Sequence, residues 1–552
     1  VEATLNYTKE VGSVKIEVVG GYSVQSFRNQ YYWAEGRGFA DFTDFGSMDY
    51  QLRTSFDAAD DIASSFAGDG RYSNWGFSRD LRGSVPAGSQ GFVSGIDFDN
   101  NTLYQAFLRR NAGVILSGIG ANFFDQTDYL QSYFARGNFT INDKLLLTAT
   151  LRADGSSKFG KDNRYGIFPS AAIAYKLHEL DFMPDSFNNF KIRAGYGVVG
   201  NQDGLGYGEF IRRERWADVD VGDAREINLP GTSTQGSVNP SLKWESTTQI
   251  SAGIDFGLNN DKISGSFDYY VKNTTDLLLR ANAAQPAVAD QIFTNLDATV
   301  ENKGWELSLS YAAIESSDAS LTLSGNISNN KNQVKDFAGL LDAGTIRGQG
   351  LSGAYAQRLA GGQPLFSFFL REFGGFDANG QPIGDEQVFV GKTALPTWNM
   401  GFSINATYKK FDFNMYMSGQ FGQYVYNNTR NALFTAGSIN NARNVTPDVL
   451  TNGEAGSAEA SVSTRFLEKG DFIRGQNLTI GYNIPVSGTF KNLRVSFNAQ
   501  NLFLITDYSG LDPEVSSNPS DNDLLNRLPT AGIDWAAYPR PRIFTLGLNA
   551  SF

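Results

Sequence analysis

Cysteine is absent from these 552 residues, and histidine occurs once, as His178. The first absence excludes a disulfide, a thiolate nucleophile, an iron–sulfur cluster and a Cys-ligated zinc; the second excludes a multi-His metal centre. No apolar run approaches the ~18 to 20 residues that a membrane-spanning helix needs; the stretch from Gly113 to Gly120 is far too short. Positive charge is in deficit, 46 Lys and Arg against 58 Asp and Glu for a net −12, and no basic stripe stands out. A nucleic-acid backbone is therefore not an expected partner. The 59 glycines show no three-residue period, and 41% of the chain is hydrophobic, so it is neither collagenous nor disordered. Residue 1 is Val, and no charged and then apolar leader follows it, as expected of a mature or truncated secreted chain.

What is present is alternation. Phe544, Leu546, Leu548, Ala550 and Phe552 share one face, against Thr545, Gly547, Asn549 and Ser551 on the other. The same period of two runs through Ile250 to Leu258, Ile263 to Val271, Trp305 to Tyr311 and Trp398 to Tyr408. Such runs are about ten residues long, beyond the usual soluble strand of five or six, and long enough to cross a bilayer at a tilt. Short turns at 141–143, 178–188, 259–260, 315–318, 409–410 and 483–490 alternate with long connections near 25–127, 154–163, 200–242, 273–298, 332–395, 425–471 and 503–541. Segregating short from long connections by end is the habit of an outer-membrane barrel, and a soluble sandwich has no reason for it. The fold class is all-β, a transmembrane antiparallel β-barrel. Tyr269, Tyr270, Trp305, Tyr311, Trp398, Tyr408 and Tyr482 are expected near strand ends, as interfacial girdles. The alternative, a soluble all-β protein with an aromatic core, leaves the small and polar opposite face unexplained.

Several segments carry a family resemblance. They are LQSYFARGNF at Leu130 to Phe139, LRADGSSKFGKDNRYGIFPSAAIAY at Leu151 to Tyr175, KIRAGYGVVGNQ at Lys191 to Gln202 and ENKGWELSL at Glu301 to Leu309. To these add FLEKGDFIRGQNLTIGYNIP at Phe466 to Pro485, LRVSFNAQNLFLITDYSGLDPEV at Leu493 to Val515 and YPRPRIFTLGLNASF at Tyr538 to Phe552. In combination they resemble the C-terminal part of a SusC/RagA-like transporter, from the TonB-dependent outer-membrane family of Bacteroidetes. The likeness covers about 128 to 552, with a weaker match at Thr4 to Tyr22. It implies a plug domain preceding a barrel of about 22 strands. The alternation gives about 15 strands here, two before residue 25 and thirteen from 128 onward, or more if Leu103 to Leu116 hides another hairpin. No plug or TonB box is visible in these residues, so the front part is expected upstream in the same chain or in a separate polypeptide. An open sheet edge in lipid leaves backbone groups unpartnered, and the missing strands are needed to close the barrel.

The resemblance further implies a bacterial outer-membrane location among lipid and lipopolysaccharide. It implies import of oligosaccharides or peptides, a SusD-like surface lipoprotein as lid, TonB as the source of energy acting through the plug, no cofactor and no enzymatic chemistry. Asp255, Asp268 and Glu306 are expected to line the lumen. A scaffold role in a larger envelope assembly stands as the alternative, with a passive porin behind it.

The candidate sites are sparse. Asp507, Asp512, Glu514, Asp521 and Asp523 form an oxygen-rich segment, as do Asp97 to Asn101, and calcium takes six to eight oxygens. Neither has the spacing of a calcium loop, and a solvated acidic loop is the competing reading. Tyr31, Tyr32 and Trp33, and Arg212, Arg213, Arg215 and Trp216, are candidates for contact with a glycan, a peptide or a partner protein, or for packing within a loop. Phe552 resembles the terminal aromatic by which barrels are recognised for insertion, and equally ends a strand on its apolar face. His178, in a short turn, has no expected nucleophile in reach. Gly391, Lys392 and Thr393 echo a phosphate loop but have Glu386 where the first Gly belongs. Gly204, Gly206 and Gly208 read as a mobile loop.

Overall fold

The computed structural model describes residues 1–37, 48, 74–78, 118–206, 208–210, 216–219, 229–232, 238–282, 291–348, 351, 353–441, 443–488, 490–515 and 530–552. Its dominant feature is one antiparallel meander of fifteen strands, with the short strand Asn74–Ser78 paired at one side. In chain order they are β1 (Glu2–Val11), β2 (Val14–Arg37), β3 (Gly118–Ile141), β4 (Leu145–Ser156), β5 (Tyr165–Lys176), β6 (Phe187–Asn201), β7 (Glu245–Leu258) and β8 (Ile263–Thr275). There follow β9 (Thr299–Glu315), β10 (Ala319–Lys335), β11 (Trp398–Tyr408), β12 (Phe411–Phe421), β13 (Phe472–Asn483), β14 (Asn492–Thr506) and β15 (Ile543–Ser551). Each strand pairs with the one before and the one after it in sequence, as in an up-and-down barrel. Among the described residues β1 and β15 are the two ends of this order, and both are exposed along nearly their whole length.

Turn chemistry fixes one end. Asn142 and Asp143, Asn259 to Asp261 and Lys409 all have positive φ, the left-handed conformation that tight hairpins require, and Gly12 supplies it between β1 and β2. The other end carries every long connection. Its limits differ from the sequence expectation in one large respect: β2 runs to Arg37 and β3 starts at Gly118, in register from Val14↔Ile141 to Arg37↔Gly118. The first long connection is therefore 38–117 rather than 25–127. The pair continues past the alternating segment as a ribbon held by its ladder, which needs no hydrophobic pattern to form.

The two faces separate as the alternation requires. On β11, Trp398 and Tyr408 are ten positions apart on the apolar face, with the exposed Phe402 between them. At about 3.3 Å per residue and a tilt near 45° they are separated by about 23 Å along the membrane normal, close to the ~25 Å apolar band of an outer-membrane barrel. Trp305 packs edge-on against Trp398 at one rim (centroids 5.5 Å), and Phe411 against Tyr482 at the other (4.5 Å). Tyr270 is the exception among the expected girdle residues. The pleat turns it to the opposite face from Tyr269, and its hydroxyl donates to Asn330.

No helix among the described residues is long and apolar enough to cross a membrane. The buried apolar clusters lie at the long-connection end, where the described parts of six connections fold into a cap. A four-stranded sheet forms from Leu340–Thr345, Tyr355–Ala360, Ser367–Arg371 and Gln387–Thr393. A second joins Tyr424–Asn427 antiparallel to Leu467–Lys469 and parallel to Ile533–Asp534. Ile346, Leu351, Phe368, Leu370, Tyr426, Phe466 and Ile533 meet in one core drawn from three successive long connections. A neighbouring cluster of Phe159, Leu205, Leu242 and Phe293 draws on three more. Leu205 is buried there, so the glycine run around it is anchored by packing and is not the free loop its composition suggests.

Candidate functional site

The polar face of the meander carries many charges on one side and, on the other, only a few near the strand ends. On β6 to β8, Lys191 pairs with Asp255 (2.8 Å), and Arg193 bridges Asp255 (3.1 Å) and Asp268 (2.6 Å). Arg193 and Asp268 are not on adjacent strands. They face each other across Gly253 of β7, the partner of Arg193 in one ladder and of Asp268 in the next. A Cβ at Gly253 would overlap both side chains, so this glycine is what lets the bridge cross a strand.

The device recurs. Arg494 of β14 reaches Asp412 of β12 (2.5 Å) over Gly481 of β13. Tyr270 of β8 reaches Asn330 of β10 (3.2 Å) over Gly304 of β9. Tyr165 of β5 reaches Gln131 of β3 (2.9 Å) beside Gly155 of β4. The first three bridges each tie three strands together through polar groups on the wet face, whereas the Tyr165 bridge does so on the opposite face, which it shares with Leu151 and Ile167.

Asp255 and Asp268, expected on this face, are there and spent on cations. Glu306 stands directly opposite Asp268 in the β8/β9 ladder. From β10 to β15 the corresponding positions are neutral: Ser324, Asn326 and Ser328; Ser403 and Asn405; Asn414, Tyr416 and Ser418; Asn477 and Thr479; Ser496 and Asn498; Thr545 and Asn549.

Above this wall the cap is pinned by two buried polar nodes. At the first, a bulge sets Gln476 of β13 opposite Asn501 and Leu502 of β14, and Asn501 takes a positive φ. Arg474, 1% exposed, then lies under the last long connection. It donates to Asn501 Oδ1 and Asp512 Oδ1, both at 2.6 Å, with Glu514 2.9 Å away; Arg540 closes on Glu514 at 3.0 Å. Asp512 and Glu514 are thus held by guanidinium groups rather than solvated, whereas Asp507 is exposed. Among the described residues no three His, Cys, Asp or Glu side chains converge as a metal site. Asp521, Asp523 and Asp97 to Asn101 lie outside the described residues.

At the second node, Asp534 accepts from the hydroxyls of Tyr508 (2.6 Å) and Thr429 (3.0 Å), while Glu468 accepts from Ser509 and Asn427. Burial, then the hydrogen bond to Asp534 and the negative field of Asp534, Glu468 and Asp512, push the Tyr508 phenol well above the ordinary tyrosine range. Burial likewise raises Tyr426, against the opposing bonds from the Ser463 backbone and Asn431. Arg465 links two connections by lying over the rings of Phe373, Phe376 and Phe466 and pairing with Glu454 at 2.8 Å.

The other sequence candidates fall as follows. Tyr31, Tyr32 and Trp33 belong to β2, in register with Phe124, Phe123 and Asn122, and their side chains lie outside what the structure describes. Arg212, Arg213 and Arg215 are outside the described residues, and Trp216 begins a short strand paired with Leu229–Thr232. Phe552 stacks near Phe490 at the short-turn end (4.9 Å). His178 Nδ1 accepts from the Phe190 backbone (3.1 Å), a turn-closing role. Gly391 to Thr393 lie on a cap strand, with the Lys392 ammonium over Tyr424. Arg474 and the crossing glycines were not singled out from sequence, because a lone Arg or Gly in an alternating run gives no sign of what it meets two strands away.

A meander of this length, apolar outside and polar inside, with folded connections at one end, is a wall of an outer-membrane β-barrel. Residues 3–502 match the family model of the TonB dependent receptor-like β-barrel, and the chain belongs to that family, whose members are receptors rather than enzymes. It is 32% identical over 470 residues to the TonB-dependent receptor SusC of Bacteroides thetaiotaomicron, covering 78% of this chain and 45% of that protein. It is 31% identical over 480 residues to TonB-dependent receptor P3 of Formosa agariphila, covering 78% and 46%. The chain thus spans about half the length of the curated relatives it matches. Among solved structures, the RagAB peptide transporter superposes over 100% of this chain and 55% of its own with a TM-score of 0.70. The RagAB peptide importer in its open-open state gives 0.73. Identities of 18% and 17% make these likenesses of fold.

Proposed function

We propose that the chain forms the C-terminal wall and outer cap of a TonB-energised importer that carries oligosaccharides or peptides across the outer membrane. The observation that carries this reading is the pairing of a wet, polar inner face with a cap that is itself folded. Six connections pack into buried clusters instead of dangling, which gives a rigid rim against which a lid can close. In this reading a SusD-like lipoprotein is the lid, and TonB acts through a plug domain. Relatives of about twice this length include a SusC receptor, and RagAB, alike in fold, is a peptide transporter; both support import of a large polar solute.

The test is to purify the native protein from outer membranes under mild detergent and identify its companions by mass spectrometry, alongside uptake in cells with and without functional TonB. Co-purification of a surface lipoprotein, with uptake that stops when TonB is removed, is the expected result. Stable association with other envelope proteins and no TonB-dependent uptake would overturn it in favour of a scaffold. Conductance that persists without TonB would identify a passive pore.

A further inference from the structure

The inner wall divides into two sectors of opposite chemistry. From β2 to β9 the inward positions include Lys15, Glu17, Arg136, Arg152, Asp154, Lys191, Arg193, Asp255, Asp268, Lys272 and Glu306. From β10 to β15 the central inward positions are Ser, Thr, Asn, Gln, Gly and one Tyr; charge returns only at the ends, as the Asp412–Arg494 pair and as Arg474 beneath the cap. On the charged side most of the groups are fixed to each other, as in Arg152 with Asp154 (2.8 Å) and Arg193 with Asp255 and Asp268. Such pairs hold water and resist the approach of a neutral solute, because the solute must strip solvent from an ion.

The neutral side behaves differently. Its hydroxyls and amides bond sideways along the wall: Ser310 with Ser324 (3.0 Å), Gln420 to Asn399 (3.1 Å), Asn414 to Asn405, Thr479 to Asn498 (2.9 Å). Each such group both donates and accepts, and one sideways bond leaves spare capacity. A solute passing over them exchanges one neutral hydrogen bond for another at a net cost of about 1 kcal/mol or less per step. Weak, repeated sites of this kind are what passage through a pore needs, since each must be left as readily as it is entered. Ser264, Ser266, Ser308, Ser324, Asn326 and Ser403 line a shallow trough at the edge of this sector, and the 41% exposed ring of Tyr416 stands beside it.

We propose that the permeation path runs along this neutral sector, over Asn326, Ser403 and Tyr416, and that it suits an uncharged, hydroxyl-rich oligosaccharide. Tyr416 offers an amphipathic ring for a sugar face, and its neighbours offer hydroxyl and amide partners. The proposal rests on the importer reading above and adds which side of the barrel conducts and which of the two solute classes it takes.

These 552 residues contain no cysteine, so introduced thiols in this part of the protein report without background. The full-length protein in TonB-replete cells is given single substitutions N326C and S403C in the neutral sector, and S251C and T150C in the charged one, where Thr150 accepts from Arg136, each checked for surface display. An uncharged glucosyl-maleimide and a sulfonated maleimide of similar size are added outside, with and without a protonophore. Energy-dependent labelling at N326C and S403C at least tenfold faster than at S251C and T150C, with the glucosyl reagent outrunning the sulfonated one, is the expected result. Equal or reversed rates between sectors overturn the path, and a sulfonated reagent that keeps pace overturns the solute class. In parallel, uptake of a pool of neutral oligosaccharides and of short peptides is measured in wild type and in S403D and Y416A. Loss of oligosaccharide uptake in both variants by tenfold or more, with Y416F near wild type, supports the assignment; unchanged uptake overturns it. If wild type takes up peptides alone, the solute class fails while the importer reading stands. If nothing enters in a TonB-dependent way, the importer reading itself has failed.

Discussion

Arg474 Nη2 lies 2.6 Å from Asp512 Oδ1, and both side chains are almost wholly removed from solvent. The pair joins β13 to the connection that follows β14, so the last cap segment is tied to the barrel by a charge that has nowhere else to go. Removing one member strands the other. R474A is expected to destabilise the cap by about 3–5 kcal/mol, and an R474M/D512L double substitution by much less, because the desolvation penalty then disappears from both partners. Limited proteolysis of the 507–542 connection in the folded protein reads the difference; equal sensitivity of wild type and R474A would count against the node.

The crossing glycines make a second prediction. G253A places a methyl against Arg193 and Asp268, and is expected to cost about 1–3 kcal/mol as the bridge is displaced. G195A on the neighbouring strand meets the Ser251 hydroxyl at 3.5 Å and the Ala171 carbonyl at 3.8 Å, both ordinary contacts, and should fold as wild type does. Urea titration of the heat-modifiable band on gels measures both, and an equal effect at the two positions would refute the steric account.

Alkali should loosen the cap before the barrel. Tyr508 is held protonated by burial and by its bond to Asp534, so its folded pKa lies above the ordinary tyrosine value of about 10. The stabilisation is complete below that pH and is lost progressively as pH rises above it towards the folded pKa. Y508F should lose a hydrogen bond at neutral pH, of order 1 kcal/mol, yet flatten the alkaline decline. Proteolytic sensitivity of the cap between about pH 9 and 11.5 tests the sign.

Adjacent residues of β11 should respond in opposite ways to the same charge. Phe402 faces lipid near the middle of the strand, and F402R is expected to cost about 2–4 kcal/mol of barrel stability. Ser403 faces the wet side, so S403R should leave folding intact. Refolding yield into lipid vesicles separates them, and matching losses would invert the assigned faces.

The cap core predicts a separation of stabilities. Phe368 is fully buried among Leu370, Tyr426 and Phe466, and F368A should cost about 3–5 kcal/mol of cap stability. Hydrogen exchange is expected to quicken across 336–397 and 422–471 while β10 to β13 keep their protection.

What the sequence by itself determined is whatever depends on neighbours one or two residues away. Alternation in Ile250 to Leu258 and Trp398 to Tyr408 set the two faces, Asn–Asp and Gly turns set the tight end, and their spacing set the fifteen-strand meander. These are local consequences of a period of two and of turn geometry. Tertiary structure alone decided the rest. That Ile346 meets Ile533, that Gly253 lies beneath an Arg–Asp bridge, and that Asp512 is buried against Arg474 depend on groups brought together across several strands. No local pattern encodes such meetings, because the partners differ in sequence separation and each polar side chain looks solvent-facing until the connection that covers it has folded.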